Sequence, residues 1–442
     1  MTAEPKASAR HWAVLGGGML GMTAALELAR AGQRVSLLEA ADSPGGLVSP
    51  WRMNGVEWDR FYHVILASDT RLLRLLDDIG LSGEVRWGQT NTLFYAGTDL
   101  YPLNNVFDYL KLPVLSLIDK ARLGFNIVYG ASIRDGRRLE KWSAAEWLSK
   151  ISGQSAYQKL WRPLLRAKLG SNEPEASAAF IWSIMRRFYG AREGKTRTEQ
   201  FGYVSGGYSK VIAALSDELE RLGVELVCNA PVSAVEAGEG AGVRVVYGDE
   251  QHTFDSVLAT FSAPIAARVC SALSDQEQTR LNSFLYQGVV CVSMLLRRAL
   301  GSAYLTYITD ETLPFTTIIE MSSLVDRELL GGHHLVYLPK YVPSHDPFLK
   351  RADEEIIDEF IAGVCRMYPD FSREDIVSIH VARTPYVAPV MTRNYSGMIP
   401  AVTTSVQQLY MISSAQLVHG SSSVEETIRL VCEAMPALLG SE

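Results

Sequence analysis

The first forty residues combine two short apolar runs with a segment of helical spacing. Trp12 to Leu15 is an apolar run that stops at glycines, as a buried parallel strand does. From Met19 to Ala31 the apolar residues recur at helical spacing, and Gly32 follows where helices favour a glycine. Val35 to Leu38 is the second apolar run. The pattern predicts a strand, a helix and a parallel strand in immediate succession.

Glycines with G-x-G-x-x-G spacing join the first strand to this helix, and an acid ends the second strand. Gly16 permits a tight turn, Gly18 lets a pyrophosphate approach the backbone, and Gly21 lets helix and strand pack closely. The amides at the helix start would face the phosphates. Glu39 would accept a hydrogen bond from a ribose hydroxyl, and no arginine follows it directly, which disfavours NADP. The sequence predicts a dinucleotide site; a plain βαβ turn is the alternative.

Composition limits the classes of function. The 442 residues carry 42 basic and 49 acidic side chains, a net charge of −7, which does not indicate a nucleic-acid-binding surface. The sequence contains no run of about 18 apolar residues, so no membrane-spanning helix is predicted. The five scattered cysteines form no CxxC pair, which predicts reduced thiols and a cytoplasmic protein. His333 and His334 lack a third ligand at metal spacing, so no metal site is expected.

Beyond Glu39 the chain resembles the flavin amine oxidase and protoporphyrinogen oxidase superfamily, which has a glutathione-reductase-type FAD fold. The doublet Gly45-Gly46 follows the acid, and the stretch after it reads as two short strands up to Asp59 and His63. The likeness continues in FGYVSGGYSKVIAALSDELERLGVELVCNAPVSAVE, SVLATFSAP and QQLYMISSAQLVHGSSSVEETIRLVCEAMPALL. In the last of these, serine and glutamate stand at capping-box spacing twice, which predicts a helix start near Ser422.

The resemblance implies an α/β chain, with a Rossmann-type FAD-binding domain and a discontinuous α+β substrate domain. It implies FAD-binding segments at 11–91, 201–265 and 387–442, a mostly helical substrate segment at 92–200, and a sheet with helices at 266–386. The cofactor-binding positions that it implies are Gly16, Gly18, Met19, Leu20, Gly21, Glu39, Ala40, Gly45, Gly46, Leu47, Val232, Ser414, Ser423 and Val424.

Two departures from the family bear on the chemistry. Ser413-Ser414 stands where the family often has an acid, and no cysteine lies at the position of covalent attachment, so the resemblance implies non-covalent FAD. The run from Gln287 to Leu296 lacks the lysine that many amine oxidases place near flavin N5. The missing lysine argues against amine oxidation as the function. Protoporphyrinogen-oxidase-like and isoprenoid-desaturase-like chemistry stay open.

Four side chains are candidates for the chemistry, each with a structural alternative. His63 could lie near the flavin edge and act in catalysis, or bond to backbone. Tyr395 could form part of an aromatic wall over the flavin, or pack in the core. Arg383 and Arg393 could hold a substrate carboxylate or phosphate, or lie on the surface.

Two longer stretches have both a functional and a structural interpretation. The basic stretch Arg186 to Gln200 is interpreted as a solvated loop, with a lid over an anionic substrate as the alternative. Pro102 to Gly130 is interpreted as a helix pair packed inside the substrate domain. Peripheral contact with a membrane, or with a lipid-like substrate, is the alternative for this stretch.

Together these features predict an FAD-dependent oxidoreductase that oxidises or desaturates a small organic substrate. A hydride would pass to flavin N5, and dioxygen or another acceptor would reoxidise the flavin. Two alternatives stay open. One is an isomerase like UDP-galactopyranose mutase, which uses reduced flavin without net redox change, and the other is a non-catalytic flavin-binding protein.

Overall fold

The computed structural model describes residues 9–440 except 105, 114, 191–199, 239, 241 and 419–421. The strands in this part of the chain are β1 (His11–Leu15), β2 (Arg34–Leu38), β3 (Pro50–Met53), β4 (Val56–Asp59), β5 (Ile65–Leu66), β6 (Val85–Gln89), β7 (Thr92–Ala96), β8 (Asp99–Pro102), β9 (Gln200–Val204), β10 (Glu225–Val227), β11 (Val232–Ala237), β12 (Val243–Tyr247), β13 (Glu250–Phe254), β14 (Ser256–Ala259), β15 (Tyr286–Leu296), β16 (Leu305–Ile308), β17 (Thr317–Glu320), β18 (His334–Pro343), β19 (Ile376–Pro389) and β20 (Leu409–Met411). The α-helices are α1 (Met19–Arg30), α2 (Thr70–Asp78), α3 (Val106–Lys111), α4 (Leu117–Ser132), α5 (Ala144–Ser152), α6 (Gln154–Ala156), α7 (Arg162–Leu169), α8 (Ala178–Gly190), α9 (Gly207–Arg221), α10 (Ala263–Val269), α11 (Asp275–Asn282), α12 (Asp353–Met367) and α13 (Val424–Leu439).

A five-stranded parallel sheet carries the predicted dinucleotide motif. Its strand order is β10-β2-β1-β14-β20, and every neighbouring pair is parallel. The central strand β1 is covered on both faces, and its residues from Trp12 to Leu15 are all buried. A strand buried on both faces is expected to be a continuous apolar run, as this one is. Helix α1 packs against β2, α9 and α13. The predicted α/β class is confirmed, and β1, α1 and β2 begin and end within one residue of their predicted bounds.

The second large sheet is mixed and has seven strands, in the order β19-β15-β18-β17-β16-β7-β8. The long strand β15 lies inside this sheet, antiparallel to β18 and β19, and all its residues are buried. Alternate β15 residues face opposite sides, since Val290 and Val292 pack with helix α12, whereas Val289 and Cys291 pack with the cluster around Trp58.

The stretch 92–200 contains the predicted helices but does not begin with one. Strands β7 and β8 come first, and β7 pairs in parallel with β16 of the large sheet. Helices α4, α5 and α8 then pack on one another. Among the described residues, none of the helices has the length and apolar character that crossing a membrane requires. The exact domain boundaries stay a prediction.

Candidate functional site

The glycine turn after β1 has a geometry that only glycine meets. Gly16 has φ +107°, and its amide donates to the Leu38 carbonyl oxygen at 2.8 Å. A Cβ on Gly21 would lie 1.8 Å from the Gly16 carbonyl oxygen. Thr260, directly after β14, closes the turn, because its hydroxyl donates to the Leu15 carbonyl at 2.8 Å. Backbone contacts therefore fix the conformation of the turn and the position of the first residues of α1.

The N-terminus of α1 is left open toward this turn. Its N-cap is Gly18, which provides no side-chain cap, and the first turn contains no acidic residue. The first amides of a helix have no acceptor within the helix. The amides of Met19 and Leu20 therefore present partial positive charge where the motif predicts a pyrophosphate.

A second glycine loop lies directly against the first. The Gly45 amide donates to the Gly17 carbonyl oxygen at 2.8 Å, and Gly45 pairs with Gly18 in a parallel bridge. Gly46 has φ +57°, and a Cβ there would lie 3.1 Å from the Gly18 Cα. Leu47 follows in a short 3-10 turn and is exposed. Gly46 is exposed and Gly18 is half-buried, so the two loops form one surface on which no side chain covers the backbone at the glycines.

Glu39 lies at the end of β2, beside the same turn. Its Oε2 accepts from the Gly17 amide at 2.6 Å and its Oε1 from the Ala41 amide at 2.9 Å. A Cβ on Gly17 would lie 2.9 Å from Oε2, so this glycine is also required for the contact, although the sequence motif did not identify it. Ala40, next to the carboxylate, is exposed.

The segment around Val232 reaches this same end of the sheet. The Glu39 amide donates to the Val227 carbonyl at 2.9 Å, and the Ala230 amide donates to the Glu39 carbonyl at 2.8 Å. Val232 opens β11 two residues later and is half-buried. Val232 therefore lies two residues from a segment that is hydrogen-bonded to Glu39, and its contact with the cofactor stays a prediction.

The C-terminal segment adds two serines at helical starts. Ser413 opens a short turn that contains Ser414, whose hydroxyl lies 3.4 Å from the Tyr286 hydroxyl oxygen. Ser423 is the N-cap of α13 and accepts from the Glu426 amide, with Val424 as the first helical residue. The first helical residue thus lies two residues after Ser422, near which the sequence predicts the helix start.

Only one of the two predicted serine–glutamate caps forms at this helix. Glu425 turns away from its own helix, and its Oε2 accepts from the amides of Arg71 at 2.9 Å and Leu72 at 2.8 Å. The carboxylate therefore caps the N-terminus of α2 and ties the last helix to the first part of the chain.

His63 lies beside a buried carboxyl group. Its Nδ1 is 3.8 Å from Asp59 Oδ2, too far for a hydrogen bond, and this buried nitrogen has no hydrogen-bonding partner among the described residues. The side chain is 23% exposed, and its ring meets the Tyr208 ring edge-on with the centroids 5.3 Å apart. Burial lowers the pKa of His63 to about 4, which keeps the imidazole neutral at physiological pH.

Asp59 caps helix α9 from a distance. Its Oδ1 accepts from the Tyr208 amide at 2.7 Å, and a Cβ on Gly207 would lie 2.8 Å from that oxygen. Burial raises the pKa of Asp59 to about 7, despite this hydrogen bond, which lowers it. Asp59 is therefore a group that titrates near neutrality beside His63.

The large sheet contacts the loop that carries His63 through tyrosines. The Tyr337 hydroxyl donates to the Asp59 carbonyl at 2.6 Å, and the hydroxyl oxygens of Tyr62 and Tyr341 lie 2.7 Å apart. Sequence reasoning missed these residues, because tyrosines spaced by four along a strand resemble ordinary packing.

The remaining candidates have other partners than His63 and Asp59 where the structure gives them one. Tyr395 is buried, its hydroxyl donates to the Ala415 carbonyl at 2.9 Å, and its ring meets Phe284 edge-on. Arg383 pairs with Asp353 of α12, on the sheet face opposite the Tyr62 side, and Arg393 is exposed. The roles of Tyr395, Arg383 and Arg393 in catalysis or substrate binding stay predictions.

Most of the basic stretch lies outside the described residues, which omit 191–199. Arg186, at its start, lies over the Trp182 ring, 5.4 Å from the ring centroid, and donates to the Arg134 carbonyl. The proposed lid therefore stays a prediction.

The glycine surface, the open helix end and the carboxylate suit a dinucleotide, and the parallel sheet that carries them is that of a Rossmann-type dinucleotide-binding protein. The chain belongs to the family of flavin-containing amine oxidoreductases, whose model matches residues 20–417. FAD is its cofactor, and the residues present fit that group because an acceptor for ribose hydroxyls and donors for phosphates lie at the two ends of one turn.

Curated relatives are distant but cover most of the chain. A zeta-carotene desaturase from Synechocystis sp. is 22% identical, covering 97% of this chain and 97% of the relative. A 15-cis-phytoene desaturase from Glycine max is 18% identical, covering 90% of this chain and 74% of the relative. The crystal structure of a reduced UDP-galactopyranose mutase aligns with a TM-score of 0.75 at 17% identity, covering 99% of this chain and 95% of the mutase. That likeness shows the fold alone.

Proposed function

We propose that this protein oxidises or desaturates an apolar organic substrate rather than an amine. The observation that carries the preference is strand β15, which is buried along its whole length and contains no lysine. Lys340, on the neighbouring strand, instead lies over Phe348 on the α12 side, with Nζ 4.3 Å from the ring centroid. The two desaturases named above support the same preference.

The chain's own groups would hold FAD at three places. Glu39 would accept hydrogen bonds from the ribose, and the amides at the start of α1 and in the Gly45-Gly46 loop would face the pyrophosphate. Ser423 and Val424 would place the N-terminus of α13 toward the flavin, where a helix end favours negative charge. Bound FAD would supply a hydride acceptor at N5.

His63 would act as a neutral hydrogen-bonding group at the substrate side of this site. Its low pKa argues against storage of a proton at neutral pH, because an efficient general base has a pKa near the working pH. Asp59, whose Oδ2 lies 3.8 Å from His63 Nδ1, would set the pH dependence near neutrality through its change of charge. The tyrosine pair of Tyr62 and Tyr341 would provide a largely apolar wall beside it.

Anaerobic flavin reduction tests the proposal. The purified yellow protein is mixed with a polyene such as zeta-carotene in detergent, or with an alkyl diamine, while the visible flavin band is recorded. Bleaching by the polyene and not by the diamine supports the proposal. Bleaching by the diamine alone would refute the argument from β15.

The isomerase alternative rests on the shared fold with the mutase. Dithionite-reduced protein that converts UDP-galactopyranose without consuming reductant would replace our proposal, since fold likeness does not determine chemistry. A protein that binds FAD and reacts with none of these compounds would support the non-catalytic alternative.

We also propose the cytoplasm as its location, which the five free cysteines support.

A further inference from the structure

Helix α4 presents its polar side to the protein and its apolar side outward. Asp119 is buried, where it accepts from the Ser116 amide at 3.2 Å and from the Ser155 hydroxyl at 3.0 Å. Asn126 is fully buried and donates to the Ser152 hydroxyl at 2.6 Å. The bonds to Ser155 and Ser152 fix the rotation of the helix about its axis, because Asp119 and Asn126 would lose these partners if the helix turned over.

The opposite side of α4 carries large apolar residues in contact with solvent. The exposed fractions are 84% for Leu117, 66% for Ile118, 63% for Phe125, 65% for Val128 and 42% for Tyr129. We call these five residues the α4 outer face. The prediction that this stretch packs inside the substrate domain is therefore wrong for this face.

The residues of the α4 outer face lie next to one another. At 100° per residue its five members fall within about 120° of the helix circumference, opposite Asp119 and Asn126. Phe125 and Tyr129 stack with their ring centroids 5.9 Å apart and their planes inclined by 7°. Phe107 of the preceding helix α3 is also exposed. A contiguous exposed patch of this kind marks an interaction surface.

Cations border this face on both sides. On the same helical projection Lys120 follows one edge of the stripe and Arg122 the other, while the helix's acid, Asp119, is buried on the far side. The chain as a whole has a net charge of −7, so this border is locally opposite in sign to the molecule. An anionic surface with an apolar interior complements such a helix.

We propose that the α4 outer face docks this protein on the surface of an anionic lipid bilayer, with α4 lying in the plane of the interface. Phe125 and its apolar neighbours would enter the boundary between headgroups and acyl chains, and Tyr129 would keep its hydroxyl at the headgroups. A second copy of the chain fits the face less well. Pairing two outer faces would bring Lys120 and Arg122 of both copies together, and like charges repel.

Vesicle flotation with the FAD-loaded full chain tests the proposal without requiring turnover. Binding is expected to vesicles of phosphatidylcholine with phosphatidylglycerol, to weaken as salt is added, and to be far weaker on phosphatidylcholine alone. Phe125→Ser should lower the partition coefficient about tenfold or more, as loss of one buried aromatic side chain predicts. Leu439→Ser, at an exposed apolar residue of α13, is the matched control and should bind like the wild type.

The bordering cations are tested separately. Lys120→Gln combined with Arg122→Gln should weaken binding to anionic vesicles by about fivefold for each cation and remove most of the salt dependence. Retention of FAD and an unchanged Tm would show that each variant is folded. Wild-type protein that does not float with anionic vesicles at low salt would overturn the proposal. So would a dimer in sedimentation that Phe125→Ser converts to monomer, which would assign the face to a second copy.

Discussion

The amide of Gly45 donates a 2.8 Å hydrogen bond to the carbonyl oxygen of Gly17, and this contact joins two glycine loops far apart in the sequence. The first loop is the dinucleotide turn before α1, and the second begins the family's flavin-specific extension. The close approach depends on the absence of side chains, because a Cβ on Gly46 would lie 3.1 Å from the Gly18 Cα. The cofactor surface is thus a property of both loops together.

Replacing Gly46 should damage this surface more than backbone strain alone explains. Gly46→Ala places a methyl group 3.1 Å from the Gly18 Cα at a φ of +57°, so both strain and crowding apply. Gly55→Ala is the matched control, because Gly55 also has a positive φ, +83°, but open space around its Cβ. We expect FAD affinity to fall at least about tenfold for Gly46→Ala and to stay near wild type for Gly55→Ala.

Fluorescence titration of apoprotein with FAD gives the dissociation constants of the Gly46→Ala and Gly55→Ala proteins. Thermal unfolding measures how far backbone strain destabilises each variant. Equal loss of FAD affinity in Gly46→Ala and Gly55→Ala would show that the doublet is a turn and not part of the cofactor surface.

Glu39→Gln should weaken FAD binding. The amide keeps an acceptor oxygen for the Gly17 amide but loses the charge, and a hydrogen bond to a charged group contributes about 1.5–3 kcal/mol. We expect an affinity at least about tenfold lower, measured by isothermal titration calorimetry. Glu27→Gln removes an acid from the exposed side of α1, where it pairs with Arg30, and should leave affinity unchanged. An unchanged dissociation constant for Glu39→Gln would argue against ribose contact.

Asp59 and His63 should contribute to the pH dependence of the free energy of unfolding with opposite signs. Asp59 has its pKa raised from 3.8 to about 7, so its contribution is present at low pH and is lost as pH rises through that range. His63 has its pKa lowered from 6.5 to about 4, so its contribution is present above 6.5 and is lost as pH falls toward 4. In the wild type the two slopes largely cancel between pH 4 and 6.5.

Single variants uncover each slope. Asp59→Asn, which keeps the acceptor for the Tyr208 amide, should become more stable relative to wild type as pH rises from 4 to 6.5. His63→Gln should change in the opposite direction, each slope being at most about 1.4 kcal/mol per pH unit. Urea unfolding at several pH values measures both. Slopes of the same sign in the two variants would contradict the assignment.

Glu425→Ala should destabilise the fold although it lies in the first turn of α13. It would remove the acceptor of two amides at the start of α2, and a buried amide without a partner costs about 1–3 kcal/mol. Ser422→Ala should change the free energy of unfolding by less than about 0.5 kcal/mol, because Ser423 is the residue that caps α13. Denaturant unfolding distinguishes the two; a large effect of Ser422→Ala would restore the predicted cap.

Much of the cofactor end was predictable because its constraints are local. A glycine such as Gly16 is required by its own backbone angle, and the apolar run of β1 reflects burial on both faces. The same reasoning could not distinguish Ser422 from Ser423 as the cap, since both have a glutamate at the right spacing. The choice depends on Arg71 and Leu72, which approach Glu425 from a distant part of the chain.

The substrate end was less predictable because tertiary contacts set the direction of each side chain. Arg383 is one residue from Ala382 in a strand, and that alternation alone places it on the α12 face with Asp353. The apolar pattern of α4 predicts an amphipathic helix correctly, but not that Asp119 and Asn126 would face inward. Their partners, Ser155 and Ser152, lie in separate elements that the pattern does not connect.

The most direct test of the central claim is the stoichiometry of a single anaerobic turnover. FAD-loaded protein is mixed with an excess of polyene, and both the loss of the flavin band and the number of new carbon–carbon double bonds are measured. The account predicts one new double bond for each flavin reduced, because formation of one double bond removes one hydride and one proton from the substrate. Polyene that is isomerised or unchanged while the flavin stays oxidised would contradict it.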